Sequence, residues 1–225
     1  MTLIAIIMFF PYKTKTTNLI EKINKQYCLK NNYDFYSFHK IPVFMENKNN
    51  NFCSYYYILD VLQKQDKKYD YVLYIDSKSY LCNHTIKIEN WLTCDKNIFI
   101  GLDKNTKHIL RHSNPTSIKA NVCIYKNTDW TIQFLNFLLT DLKHSSYWKT
   151  KNGYEIVFRK SLVYNYYNIK QNISFIRNFN FNTFSSNLTD YIKKGGWILS
   201  LTDIEDESLN ENLANQFIKI NKHLY

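Results

Sequence analysis

The sequence predicts one α/β domain over residues 1–225, a mostly parallel central sheet flanked by helices, and three observations lead there. Apolar runs of strand length alternate with stretches whose apolar residues fall at helical spacing. One of those runs, Tyr71-Val72-Leu73-Tyr74-Ile75, is apolar at every position, the composition of a central strand buried on both faces in a parallel sheet. The 225 residues are 45% hydrophobic and 17% aromatic with only 4 Gly and 3 Pro, enough for a full core and without a linker to divide it.

Thr2 to Phe10 has neither the basic leader nor the cleavage site of a signal peptide and is too short to span a bilayer. It reads as the first parallel strand, ended by Pro11-Tyr12. Thr16 to Lys30 reads as a capped helix with Ile20, Ile23, Tyr27 and Cys28 on a shared face, and Asn31 to Phe38 turns into the second strand of a βαβ unit. A polar loop, Glu46 to Asn51, leads into a helix from Phe52 to Gln65, whose tyrosines at 55–57 suit either core or a ligand shelf. After the central strand come a short helix, Ile86 to Trp91, and a strand, Asn97 to Asp103. Residues 104–119, with His108, Arg111 and His112, read as a solvated loop or a flap. Ala120 to Lys126 is a strand, and Asp129 to Leu142 a helix that should bury Trp130, Phe134, Phe137, Leu138 and Leu142. A further helix starts near Glu155, and Leu209 to His223 closes the chain.

The central strand stops at a carboxylate, Asp76, followed by Ser77-Lys78-Ser79. Ligands of open α/β sheets bind beyond the carboxyl ends of the strands, where an acid can hold a metal, a ribose hydroxyl or a diphosphate counter-ion. A lone Asp after a strand serves equally to cap a turn.

Tyr71 to Lys78 resembles the strand and DxD motif of nucleotide-sugar glycosyltransferases with the GT-A fold, in the style of the galactosyl- and mannosyltransferase family of fungi and plants and its short relatives in large DNA viruses. Ala120-Asn121-Val122-Cys123 to Trp130 resembles that family's Asn-x-Gly strand and following helix. Asn152 to Phe158 resembles its acid-Gln helix start, Ser174 to Phe184 (with Asn182) a later strand, and Gly195 to Asp203 the segment that carries a metal-binding His. The likeness reaches about residue 203 and implies a donor half over 1–103, an acceptor half over 104–203 and a C-terminal helix over 204–225. Lys78 stands where the family has its second Asp, and Ser200 where it has the His.

This resemblance implies transfer of a hexose or deoxyhexose from a UDP- or GDP-linked sugar to a glycan acceptor. It implies that Phe10 and Tyr12 frame the nucleobase, Asp76 and Lys78 meet the diphosphate, Asn121 faces the sugar, and Glu155 is the catalytic carboxylate on the acceptor side. Read from the residues alone, Phe10 and Tyr12 suit edge packing as well, and Glu155 suits a helix N-terminus. Metal-dependent members hold Mn²⁺ or Mg²⁺ with carboxylates and a His. Here Asp76 is what remains of that set, with Asp103 and Asp203 next in line. An ammonium cannot ligate a cation, so Lys78 is expected to meet the diphosphate directly, without a metal. The alternatives are a catalytically inactive module that binds a nucleotide sugar or a partner, and a Lys78 that points to solvent beside a merely capping Asp76.

The net charge of +10 suits an anionic ligand, but the basic residues are scattered and no nucleic-acid motif accompanies them, so nucleic acid is not an expected partner. Five cysteines without a CxxC pair read as reduced thiols of an intracellular protein. The family's Golgi members carry an anchor ahead of the first strand, and none stands ahead of it here. A soluble, cytoplasmic protein is expected, in the host cytoplasm if the source is viral.

Overall fold

All six residues of β1 (Ile4–Phe9) are buried, and they divide between two cores. Ala5, Ile7 and Phe9 enter one, while Ile4, Ile6 and Met8 enter the other. The same alternation in β3 (Tyr71–Ile75) sends Val72 and Tyr74 one way and Leu73 and Ile75 the other. Burial of one such aliphatic side chain contributes about 1.5–3 kcal/mol, so a one-residue slip would exchange the occupants of two cores. The computed structural model that shows this describes residues 2–102, 118–150, 153–176, 197–200 and 207–220.

The first core is closed by α2 (Cys53–Leu62), α3 (Asp129–Thr140) and α4 (Gly153–Val163). The second is closed by α1 (Lys15–Asn31), by α6 (Glu207–Ile220), which also packs on α1, and by a two-stranded ribbon of β4 (Ser79–Leu81) and β8 (Ile198–Ser200). Between the cores lies a six-stranded sheet. It adds β2 (Asp34–Phe38), β5 (Ile98–Leu102), β6 (Ile118–Lys126) and β7 (Ile173–Ile176), the last preceded by the one-turn α5 (Ile169–Asn172), in the order β2-β1-β3-β6-β5-β7. β1 is parallel to β2 and β3, and β5 to β7, while β6 runs antiparallel to both of its neighbours. The sheet is therefore mostly parallel with helices on both faces, as expected.

Helix α1 starts through a capping box. Thr14 Oγ1 accepts the Thr17 amide at 3.2 Å, and Thr17 Oγ1 accepts the Thr14 amide at 2.8 Å. It ends at Asn32, whose left-handed backbone (φ 59°) suits an asparagine. The face of Ile20, Ile23, Tyr27 and Cys28 is buried as its spacing predicts. Tyr55 and Tyr57 are buried too, so the start of α2 takes the core reading. Leu142 corrects the sequence: it is 75% exposed. Asp141 adopts an extended backbone and its Oδ1 accepts the Lys143 amide at 2.8 Å, which ends α3 and turns Leu142 outward. Cys28, Cys53, Cys82 and Cys123 are buried, Cys94 is exposed, and all five are free thiols. Most of the expected loop or flap, and Asn182, lie outside the described residues. No helix among the described residues is long and apolar enough to cross a membrane.

Candidate active site

From β1 the chain crosses to β2 on one side, while β3 pairs on the other. The order reverses between β1 and β3, and the crevice beyond their carboxyl ends is where an α/β sheet takes its ligand. Tyr12 follows β1, His39 follows β2 and Asp76 follows β3 at that edge. Because β6 runs the other way, its beginning arrives there as well. The β3–β6 pairing reaches Ile75 opposite Val122, so Asn121 is the next residue on β6 as Asp76 is the next beyond β3.

Asp76 organises the turn that follows it. Its Oδ1 accepts the Lys78 amide at 3.0 Å and the Ser79 hydroxyl at 2.6 Å. Both atoms belong to the step from β3 into β4, so the carboxylate sets where Lys78 leaves the backbone. The other side of the turn is held by Asn24 of α1, fully buried. Asn24 Oδ1 accepts the Leu81 amide at 2.8 Å, and its Nδ2 donates to the Ser79 carbonyl at 3.0 Å. The β4–β8 pairing then sets Ser79 opposite Ser200. Two segments 121 positions apart, which the sequence singled out separately, are thus neighbours.

Glu155 sits in the first turn of α4. That turn begins at Gly153 because a Cβ there would lie 1.9 Å from the Tyr147 carbonyl oxygen. Arg159, one turn on, donates from Nη2 to Glu155 Oε2 at 3.1 Å. Tyr154 is buried, its hydroxyl makes a long 3.4 Å contact to Glu155 Oε1, and its carbonyl accepts the Tyr55 hydroxyl at 3.1 Å. The Tyr154 phenol is held well above its ordinary pKa by burial, then by the charge of Glu155, with Tyr74, Asp76 and Tyr55 adding to it. Tyr74 is raised by burial and then by Asp76. Asp76 and Glu155 therefore act on the same buried phenol, which brings the two predicted acids into one electrostatic neighbourhood. With both pKa values raised, Tyr74 and Tyr154 keep their protons at neutral pH.

Phe10 is 1% exposed. Its amide donates to the Phe38 carbonyl at 2.8 Å, and its ring stacks on His39 at 5.4 Å and 19°. It belongs to the core that α1 closes, with half-buried His39 stacked on it. Tyr12 is 71% exposed, and its hydroxyl accepts Asn50 Nδ2 at 3.4 Å. His39, Asn24 and Tyr154 were not among the predicted residues. For Asn24 a signal existed: it is a polar residue in the apolar stripe between Ile20 and Tyr27.

Asp76 is the described residue of the expected metal set. Mg²⁺-type ions are held by one or two carboxylates, with waters and substrate phosphate oxygens completing the shell. Among the described residues no three His, Cys, Asp or Glu side chains gather, and one oxygen of Asp76 already accepts two hydrogen bonds. Asp103 and Asp203 lie outside the described residues, as do the side chains of Asn121 and Ser200.

No family model matches this sequence, and neither does any curated protein. Among solved structures, the crystal structure of a glycosyltransferase involved in the glycosylation of the major capsid of PBCV-1 superposes at a TM-score of 0.66, with 14% identity, over 95% of this chain and 99% of that one. This chain has a glycosyltransferase fold. It is of the GT-A type. GlyE of Streptococcus pneumoniae TIGR4 (TM-score 0.45, 12% identity, 80% of this chain and 47% of that one) is too distant to carry an argument. So is Drosophila beta1,4galactosyltransferase 7 (TM-score 0.45, 10% identity, 79% and 66%).

Proposed function

We propose that the protein is a glycosyltransferase that moves a hexose or deoxyhexose from a UDP- or GDP-linked donor to a glycan acceptor. One observation carries the reading: the Asp76–Ser79 turn stands at the switch point of a glycosyltransferase fold, fixed from α1 by Asn24 and from β8 by strand pairing.

In the transfer the acceptor oxygen bonds to the anomeric carbon and gives its proton to the Glu155 carboxylate, while the bond from that carbon to the diphosphate oxygen breaks and its electron pair leaves with the diphosphate. Negative charge grows on the leaving group, so a cation fixed beside it lowers the barrier. Lys78 supplies that cation in this account. At ~4 Å from a phosphate near a protein surface, one charge pair amounts to roughly 4 kcal/mol before desolvation. Asp76 contributes by setting the turn, and no metal step is required. Tyr12 and His39 are assigned to the nucleobase with Phe10 supporting His39, Asn121 to the sugar, and Glu155, oriented by Arg159, to the acceptor side.

A panel of UDP- and GDP-sugars incubated with the protein in EDTA tests this through nucleotide release. Turnover of one donor is expected, reduced about 100-fold or more in Glu155→Gln. Turnover only with Mn²⁺ would return the metal to Asp103 or Asp203. The replacement of the family's second Asp and His by Lys78 and Ser200 favours the second reading, an inactive binding module. That reading predicts nucleotide or partner binding with no turnover of any donor.

A further inference from the structure

Single exposed apolar side chains are ordinary, but three large ones on one rim are not. Val43 is 80% exposed, Tyr12 71% and Phe44 62%. The Phe10–Phe38 backbone bond brings the segments after β1 and β2 side by side. Val43 and Phe44 follow in a 3₁₀ turn, Val43–Met45, which is fixed outward by Pro42 before it and by Met45, buried, at its end. Phe44 meets Tyr56 edge-on at 5.0 Å, and Tyr12 meets Asn50, so the rim continues to the start of α2. Lys13, Lys15 and Lys40 are exposed on the same segments, with Glu46 the exposed acid among them, on a chain of net charge +10.

We propose that this rim docks on an anionic membrane surface. Val43 and Phe44 enter the headgroup boundary, and Lys13, Lys15 and Lys40 meet lipid phosphates, the pairing of apolar and basic groups that interfacial binding requires. A second copy of the chain is a poorer occupant, since a two-fold contact would bring the exposed lysines of these segments to face their own copies. The rim lies beyond the carboxyl ends of β1 and β2, at the same edge of the sheet where Asp76 follows β3. If the transferase reading holds, the acceptor is therefore one carried at that surface.

Flotation of the full chain with phosphatidylcholine vesicles, with and without about 30% phosphatidylserine, tests the docking without any sugar donor. The protein should float with the anionic vesicles and stay behind with the neutral ones. Val43→Ser/Phe44→Ser and, separately, Lys13→Glu/Lys40→Glu should each weaken binding roughly tenfold or more, and the lysine contribution should fade in about 0.5 M salt. Wild type that does not float, or variants that float equally well, would overturn the proposal. So would a dimer that Val43→Ser/Phe44→Ser dissolves, which would assign the rim to a second copy. Nucleotide binding by the same variants, measured separately, distinguishes failure of the rim from failure of the transferase reading.

Discussion

Asn24 carries no charge and exposes no surface, yet it holds both ends of the strand that follows the Asp76 turn. Asn24→Ala would leave the Leu81 amide and the Ser79 carbonyl buried without this partner. It should cost about 2–3 kcal/mol in urea unfolding and weaken nucleotide binding in parallel. A variant as stable as wild type would mean that β8 alone fixes the turn. His84 gives a second prediction at this scale. Burial, with Lys30 adding to it, lowers its pKa from 6.5 to about 4. Below pH 6.5 the unfolded chain takes up a proton that the folded chain refuses until about pH 4, so this side chain makes stability fall as pH drops through that window. The loss should be on the order of 2 kcal/mol between pH 7 and pH 4, and His84→Gln should remove most of it. Equal pH slopes in the two proteins would contradict the assignment.

Among the elements, α4 shows how one residue positions an acid without touching it. Gly153→Ala drives a Cβ into the Tyr147 carbonyl, so the first turn of α4 must move and carry Glu155 with it. A loss of about 2 kcal/mol or more is expected, with donor turnover falling further than nucleotide affinity. Unchanged turnover would show that Glu155 does not need its present place. Helices were legible from their buried faces, as in α1, though its cap is Thr14, two residues ahead of the Thr16 at which the sequence suggests a start. Leu142 misled because apolar spacing says nothing of where a helix stops; the Asp141 turn decides that. The β4–β8 ribbon was not legible. Ser79–Leu81 is three residues long, and its partner lies more than a hundred residues away. Phe10 followed the strand pattern into the core, while His39 over it left no mark in the sequence.

The whole molecule is a sheet with a core on each face, and that much followed from runs such as Tyr71–Ile75 in which both alternating sets are apolar. Strand direction did not follow. The residues of β6 would pack as well in a parallel strand, and only its place in the sheet, after the chain has passed through β5, makes it antiparallel and delivers Asn121 to the ligand edge. The site is thus a product of topology acting on residues that look ordinary one at a time. In the proposed mechanism the Lys78 ammonium, and not a bound metal, meets the diphosphate. Calorimetry of UDP and GDP in EDTA, on wild type and Lys78→Ala, tests it most directly. Wild type should bind without metal, and the variant should lose about 2 kcal/mol, roughly 30-fold. Binding that requires Mn²⁺, or that Lys78→Ala leaves unchanged, would contradict it.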